Sequence, residues 1–258
     1  MKTIRLTFPN AQGHELSAKL ELPVDSQAHN YAIFAHCFTC SKNLIAVGNI
    51  SRALTQAGIA VLRFDFTGLG ESAGDFGDTT FTTNVQDIVA AANFLGQHYK
   101  NPSLLVGHSL GGAAVLRAKK YLTDIKAVAT LGAPYDPMHI EHLLEGNLEE
   151  VRRTGRGTVN IAGRRFQISR AFLEELEKDR PFDSIHHLGA ALLVLHAPDD
   201  ETVELENATQ VFKAAQHPRS FVALDGADHL LTNKKDSAYA GEVIAGWASR
   251  YLEVPEKE

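Results

Sequence analysis

Gly107-His108-Ser109-Leu110-Gly111 decides how this chain is read. The stretch has the form G-x-S-x-G. It follows the apolar run Leu104-Leu105-Val106 and precedes Ala113 to Lys120, which reads as helix. A strand, a tight turn with serine at its apex and a helix together predict a nucleophile elbow. The glycines serve a mechanical need: the turn is sharp and strained, and a side chain at either flank would collide with neighbouring elements. The expected result is a serine oxygen held above the end of a sheet, open to a base and to a substrate.

Two later segments supply partners for such a serine. His196-Ala197-Pro198-Asp199-Asp200-Glu201-Thr202-Val203 follows the run Ala191 to Leu195, and Asp225-Gly226-Ala227-Asp228-His229 follows Ser220 to Leu224. Both lie just past a predicted strand's C-terminal end, where open α/β sheets place their ligands. A serine hydroxyl is a weak nucleophile near neutral pH and needs an adjacent base. His229 is the expected base. A carboxylate on the far side of the ring would fix its tautomer and stabilise the imidazolium. Asp200 is favoured over its neighbours Asp199 and Glu201, with Asp228 and Asp136 as alternatives. The oxyanion of the tetrahedral intermediate needs preorganised N–H donors. These are expected from Leu110, directly after the serine, and from Phe38, in the loop after the Tyr31 to His36 strand.

Size and composition restrict the alternatives. A chain of 258 residues with 44% hydrophobic and 22% charged residues suits one soluble α/β domain. A formal charge of −6 argues against a nucleic-acid binder. No apolar run approaches the roughly 20 residues of a membrane span. The N-terminus, Met1 to Phe8, alternates like a strand and lacks a signal core, so a cytoplasmic location is the default expectation. Cys37 and Cys40 form the main competing signal, a C-x-x-C that in other settings is a dithiol redox motif. Two thiols in a loop that needs small residues is the preferred reading, and two cysteines cannot complete the common zinc sites. His139 with His142 and His186 with His187 lack matching ligand clusters and read as surface histidines. The arginines at 152, 153, 156, 164 and 165 are balanced by Glu145, Glu149 and Glu150 and read as a solvated face. Gly68-Leu69-Gly70 lacks the third glycine and helix start of a dinucleotide loop.

Along the chain, Ile4 to Phe8 and Glu15 to Leu22 predict an antiparallel hairpin. Strands are expected at 31–36, 59–65, 104–106, 127–131, 192–195 and 221–224. Helices are expected at 44–57, around Val85 to Leu95, from Ala113, around Leu205 to Ala215 and around Ala240 to Tyr251. The alternation pauses between Pro134 and Ala191. There a helix over 139–148, a small hairpin at 158–161 and 165–168, and a helix capped by Ser169 are expected. The fold class is α/β, a mostly parallel sheet with an N-terminal antiparallel hairpin and helices on both faces. Residues 1–134 and 190–258 form the core, and 135–189 form a cap over the site. Met138, Ile140, Leu143, Phe166, Phe172 and Leu230 are candidate walls of the substrate pocket.

With these residues in place, the sequence resembles the α/β-hydrolase superfamily over nearly its whole length. More narrowly, it is similar to bacterial hydrolases often fused to an OsmC-like, peroxide-reducing domain. The resemblance rests on residues 34–42, 62–70, 107–112, 195–200 and 224–231. The family pattern H-x-x-x-D-x-x-V falls on His196, Asp200 and Val203, which selects Asp200 as the acid. The His-Gly usual in the oxyanion loop is His36-Cys37 here. No OsmC-like segment follows, so the chain reads as a stand-alone form or a fragment cut after Leu252. The resemblance implies a serine esterase acting on small acyl esters, with no metal and no organic cofactor. The expected partner is a small-molecule ester, with no nucleic acid and no membrane. Thioesterase, amidase or perhydrolase chemistry on the same triad is the alternative. A thiol redox protein or a non-catalytic binding module is further away.

Overall fold

Lys2–Pro9 (β1) and Glu15–Leu22 (β2) pair antiparallel in full register, Lys2 opposite Leu22 and Pro9 opposite Glu15. In the computed structural model, which describes residues 1–24, 28–37, 40–144, 146–161, 164–178 and 181–253 (the side chains at 140, 142 and 143 excepted), this hairpin leads into alternating strands and helices. In chain order these are β3 (Asn30–Ala35), α1 (Ile45–Gln56), β4 (Ile59–Phe64), α2 (Phe81–His98), β5 (Leu104–His108), α3 (Leu110–Ala118) and β6 (Ala127–Leu131). Then come α4 (Leu148–Thr154), β7 (Arg156–Ile161), β8 (Arg164–Ser169), α5 (Arg170–Lys178) and α6 (Pro181–His186). The chain closes with β9 (Ala191–His196), α7 (Leu205–Ala214), β10 (Arg219–Ala223) and α8 (Lys234–Ala248).

The main sheet has the order β1-β2-β4-β3-β5-β6-β9-β10. β2 runs antiparallel to β4, and every later neighbour is parallel. The central strands are short and apolar because both their faces are covered. In β5, Leu105 faces the layer that holds Ile88, Leu95 and Val115, while Leu104 and Val106 face the layer that holds Ile50, Leu54 and Ile244. Thus α2, α3 and α7 cover one face and α1 and α8 the other. Burying each such aliphatic side chain contributes about 1.5–3 kcal/mol.

The register brings the strand ends level. Ala35, Gly107, Thr130 and Val194 lie side by side across β3, β5, β6 and β9. One residue further come His36, His108, Leu131 and Leu195. The loops that leave these strands therefore share one edge of the sheet.

The stretch between β6 and β9 differs from the expected pattern. Instead of one helix over 139–148, Pro137–Leu143 is a 3-10 turn and α4 is a separate helix. Local capping explains the split. The Asp136 side chain accepts from Met138 N to open the first segment, and Asn147 accepts from Glu150 N to open the second. Gly155, at φ 92°, closes α4. α6 was not expected; Ile185 is its one deeply buried side chain. The hairpin β7–β8 forms with Val159 opposite Phe166. α5 starts where Ser169 Oγ accepts from Phe172 N at 3.2 Å. Among the described residues, no helix is long and apolar enough to cross a membrane.

Candidate active site

β5 enters α3 through Ser109, whose backbone sits at φ 54° and ψ −126°. Non-glycine residues rarely take positive φ, and the conformation is held from both sides. Ser109 N donates to Leu131 O on β6 at 2.8 Å, and Gly112 N donates back to Ser109 O at 2.8 Å. Gly111 is needed for close approach: a Cβ there would lie 2.4 Å from the carbonyl oxygens of Ala35 and His36. The elbow is thus pressed against the end of β3, next to the loop that follows it.

Residues far apart in sequence meet at this edge. His229 Nε2 lies 3.1 Å from Ser109 Oγ, and His229 Nδ1 lies 2.7 Å from Asp200 Oδ2. Ser109 is 6% exposed and the Asp200 side chain 1%, so the carboxylate works in a dry setting. Its other oxygen accepts from Thr202 N and Val203 N, both at 2.9 Å. Burial pushes the Asp200 carboxyl up, but its hydrogen bond with His229, the His229 charge and the two amide donors outweigh that and hold it below the usual carboxylate range. Gly132, at φ 53°, passes beneath this pair: a Cβ there would sit 3.2 Å from His229 Nδ1 and 3.3 Å from Asp200 Oδ2.

The alternative acids go elsewhere. Asp228 accepts from Thr232 N at 3.1 Å and stays exposed, Asp136 caps the 3-10 turn, and Asp199 and Glu201 face solvent. Leu110 is the first residue of α3, so its N–H is one of the amides for which a helix supplies no internal partner. Phe38, expected to give the second donor, lies outside the described residues. Its flanking cysteines do not remain two free thiols: Cys37 and Cys40 are joined in a disulfide, with Cα atoms 5.3 Å apart.

Three more buried histidines sit at this edge, His108 and His196 as the last residues of β5 and β9 and His36 just after β3. His36 Nδ1 is 2.8 Å from Cys37 O, His108 Nε2 is 2.7 Å from His229 O, and His196 Nε2 is 2.7 Å from Val203 O. Burial pushes each of them below the usual imidazole range, His108 down to about 3.

A buried ionic cluster that the sequence reading did not find anchors the far end of the 36–42 loop. Lys42 Nζ reaches Asp65 Oδ2 at 2.5 Å and Glu71 Oε2 at 2.7 Å, and Lys42 N donates to Asp65 Oδ1. Arg63, paired with Glu21, donates to Lys42 O at 2.6 Å. A lysine in a loop gives no local sign of such a partner.

The proposed pocket residues are spread out. Phe172 is 2% exposed within the core, Phe166 packs edge-on against Phe76 at 5.1 Å, and Met138 is half-buried. Leu230 is 41% exposed beside His229. The backbone of Ile140 and Leu143 lies in the 3-10 turn, and their side chains are outside the description. Separately, a groove of about 750 Å³ runs along α2, floored by Phe8, Val89 and Phe94 and rimmed by Lys120 and Lys178. It contains none of Ser109, Asp200 or His229. His139, His186 and His187 each have a ring nitrogen within 3.2 Å of a backbone carbonyl.

Known proteins agree with this architecture. The chain is 50% identical to the esterase domain of a Rhodothermus marinus protein, covering 98% of this chain and 100% of that one, with a TM-score of 0.82. Est1E from Butyrivibrio proteoclasticus, solved with ferulic acid, shares the fold at 21% identity and a TM-score of 0.82, over 95% and 98% of the two chains. The mouse palmitoyl-protein thioesterase ABHD10, a mitochondrial protein, is 27% identical over 79% of this chain and 70% of its own length. The model of the alpha/beta hydrolase family matches residues 32–242. This chain, with its eight-stranded sheet and its serine at the β5–α3 turn, belongs to the alpha/beta hydrolase family.

Proposed function

We propose that this hydrolase is a serine carboxylesterase that cleaves short-chain acyl esters through an acyl-enzyme. The observation that carries the reading is the continuous chain from Ser109 Oγ through the His229 ring to Asp200. His229 takes the Ser109 proton as the oxygen attacks the ester carbonyl. Asp200 keeps Nδ1 protonated and stabilises the imidazolium. The N–H groups of Leu110 and Phe38 hold the oxyanion, a contribution on the order of 3 kcal/mol for each donor. The imidazolium then protonates the departing alkoxide, leaving acyl-Ser109. Water, activated by His229, repeats the sequence and releases the acid.

Residues 135–189, between β6 and β9, act in this reading as a cap beside the site, and Met138, Phe166 and Leu230 border the acyl group. The esterase title of the Rhodothermus domain supports ester chemistry. Thioester hydrolysis on the same residues is the second reading, favoured by the identity to the mouse thioesterase. The test is hydrolysis of an acyl-length series of aryl esters and matched thioesters by wild type and Ser109→Ala. Wild type is expected to prefer short aryl esters, and Ser109→Ala to lose turnover and fluorophosphonate labelling together. Turnover by Ser109→Ala at the wild-type rate rejects the mechanism, and a higher kcat/KM for thioesters selects the second reading. A cytoplasmic setting and a Cys37–Cys40 disulfide pull in opposite directions, because disulfides persist in oxidising compartments. A thiol titration of the native protein separates them.

A further inference from the structure

Two buried imidazoles that take no part in the proton transfer grip the loops that carry the base and the acid. His108, the last residue of β5, has Nε2 2.7 Å from the carbonyl oxygen of His229. His196, the last residue of β9, has Nε2 2.7 Å from the carbonyl oxygen of Val203, whose own N–H binds Asp200 Oδ1. A carbonyl oxygen only accepts, so Nε2 carries the proton in both rings. In His196 the other nitrogen is buried without a partner among the described residues, which suits a bare lone pair and would strand a second proton.

We propose that His108 and His196 are positioning residues: each, as a neutral Nε2–H imidazole, ties the loop bearing one triad member to the C-terminal edge of the sheet. The inference rests on the triad reading above. His108 holds the main chain of the base itself, and its ring stands beside the His229 ring, centroids 5.1 Å apart. His196 holds the 200–203 turn, whose two amides orient the acid.

Neutrality is part of the role. His229 becomes cationic in each half-reaction, and a second positive ring at 5 Å would oppose that charge. The groups that face His108 are His229, Asp200 and His36; those that face His196 are Asp200 and His229. Asp200 Oδ2 is 3.8 Å from His196 Nε2, too far for a hydrogen bond, so the acid's bond goes to His229 rather than to His196. Burial disfavours the charged form of both rings, and for His108 it pushes the imidazole down to about 3.

Glutamine can donate from a terminal N–H₂ without becoming charged, whereas leucine fills the space and donates nothing. With a short aryl ester, His108→Leu is expected to lower kcat by about 30–100-fold with KM within about twofold, the pattern of a misplaced catalytic group. His108→Gln is expected to recover most of that loss, and the pair His196→Leu and His196→Gln to repeat the pattern. A leucine variant with wild-type kcat, or a glutamine variant no better than leucine, overturns the proposal. Ser109→Ala is run beside them: if it retains turnover the triad reading itself has failed, whereas an inactive Ser109→Ala with a fully active His108→Leu defeats this inference alone. If the leucine variants do not fold, ¹⁵N spectra of the wild-type histidines decide. Both rings are expected as neutral Nε2–H tautomers at pH 7, and an Nδ1–H tautomer or an imidazolium at that pH in either ring overturns the assignment.

Discussion

The C-terminal edge of the sheet and the segment from Pro137 to His186 are built by different means. At the edge, each loop is fixed by directed bonds from buried groups: Ser109 by Leu131, the His229 loop by His108, the Asp200 loop by His196 and its own amides, and the 36–42 loop by Lys42 with Asp65. The segment packs Val151, Val159, Ile168, Phe172 and Leu176 onto the same apolar cluster that covers one face of the sheet. Its charges are mostly at the surface, where Arg152 meets Glu141, Glu149 and Glu177. Directed buried bonds fix direction as well as distance, whereas apolar packing is non-directional.

The sharpest way to break the comparison is Asp200→Asn. The Oδ1 bonds to Thr202 and Val203 can persist, so the fold should stand with Tm near wild type. The wrong His229 tautomer should cost about 10⁴-fold in kcat. A loss of activity matched by unfolding would mean that Asp200 belongs to the frame rather than to the chemistry.

Phe172→Ala probes the other region. Removing a fully buried aromatic ring should cost about 3–5 kcal/mol of stability, read from urea unfolding. The kcat of the folded fraction should move far less than in Asp200→Asn. Equal damage to both properties would show that the segment is as tightly coupled to the chemistry as the edge.

Acid sharpens the contrast further. Burial holds His36, His108 and His196 below the usual imidazole range in the folded state, while the unfolded chain protonates them near 6.5. Unfolding therefore takes up protons below that pH, so their stabilising contribution is fully present above 6.5 and drains as pH falls. For His108 the window runs from 6.5 to about 3. Within it, stability should drop by about 1.4 kcal/mol per pH unit for this residue alone. Asp200, held low, adds a loss of the same sign below its ordinary 3.8. Chemical denaturation at pH 7 and pH 5 measures the slope; a flat profile would mean that these rings are charged or solvated. The smallest effect is expected from Arg152→Ala, which breaks solvent-accessible, partly exposed pairs that contribute about 1 kcal/mol or less in all, and Tm should fall by no more than a few degrees.

How legible each region was in the sequence follows from the same difference. The central strands, the elbow and His229 carry local signals: apolar runs of strand length, glycines flanking a serine, a turn after a strand. Asp200 is singled out among its acidic neighbours only by the resemblance, whose H-x-x-x-D-x-x-V pattern falls on His196, Asp200 and Val203. The 137–186 segment was harder because its helices are short; α4 and α6 cover one or two turns, too few to show a period. The roles of Lys42, Asp65, His108 and His196 depend on partners outside their own turns, three of them 23 to 121 positions away, and no periodic pattern encodes such pairs. The C-x-x-C was visible, but its spacing fits both free thiols and the bonded state found here.

One consequence of strand order remains. Ser109 leaves β5 and Asp200 follows β9, and β6 runs between them. Two interstrand steps set these lanes roughly 9–10 Å apart, beyond the reach of a hydroxyl and a carboxylate toward one another. The imidazole is a plank laid over the intervening lane, and Gly132 keeps that lane bare of any side chain that would lift it. In the proposed mechanism the ring is therefore the group that joins the hydroxyl of one lane to the carboxylate of the other.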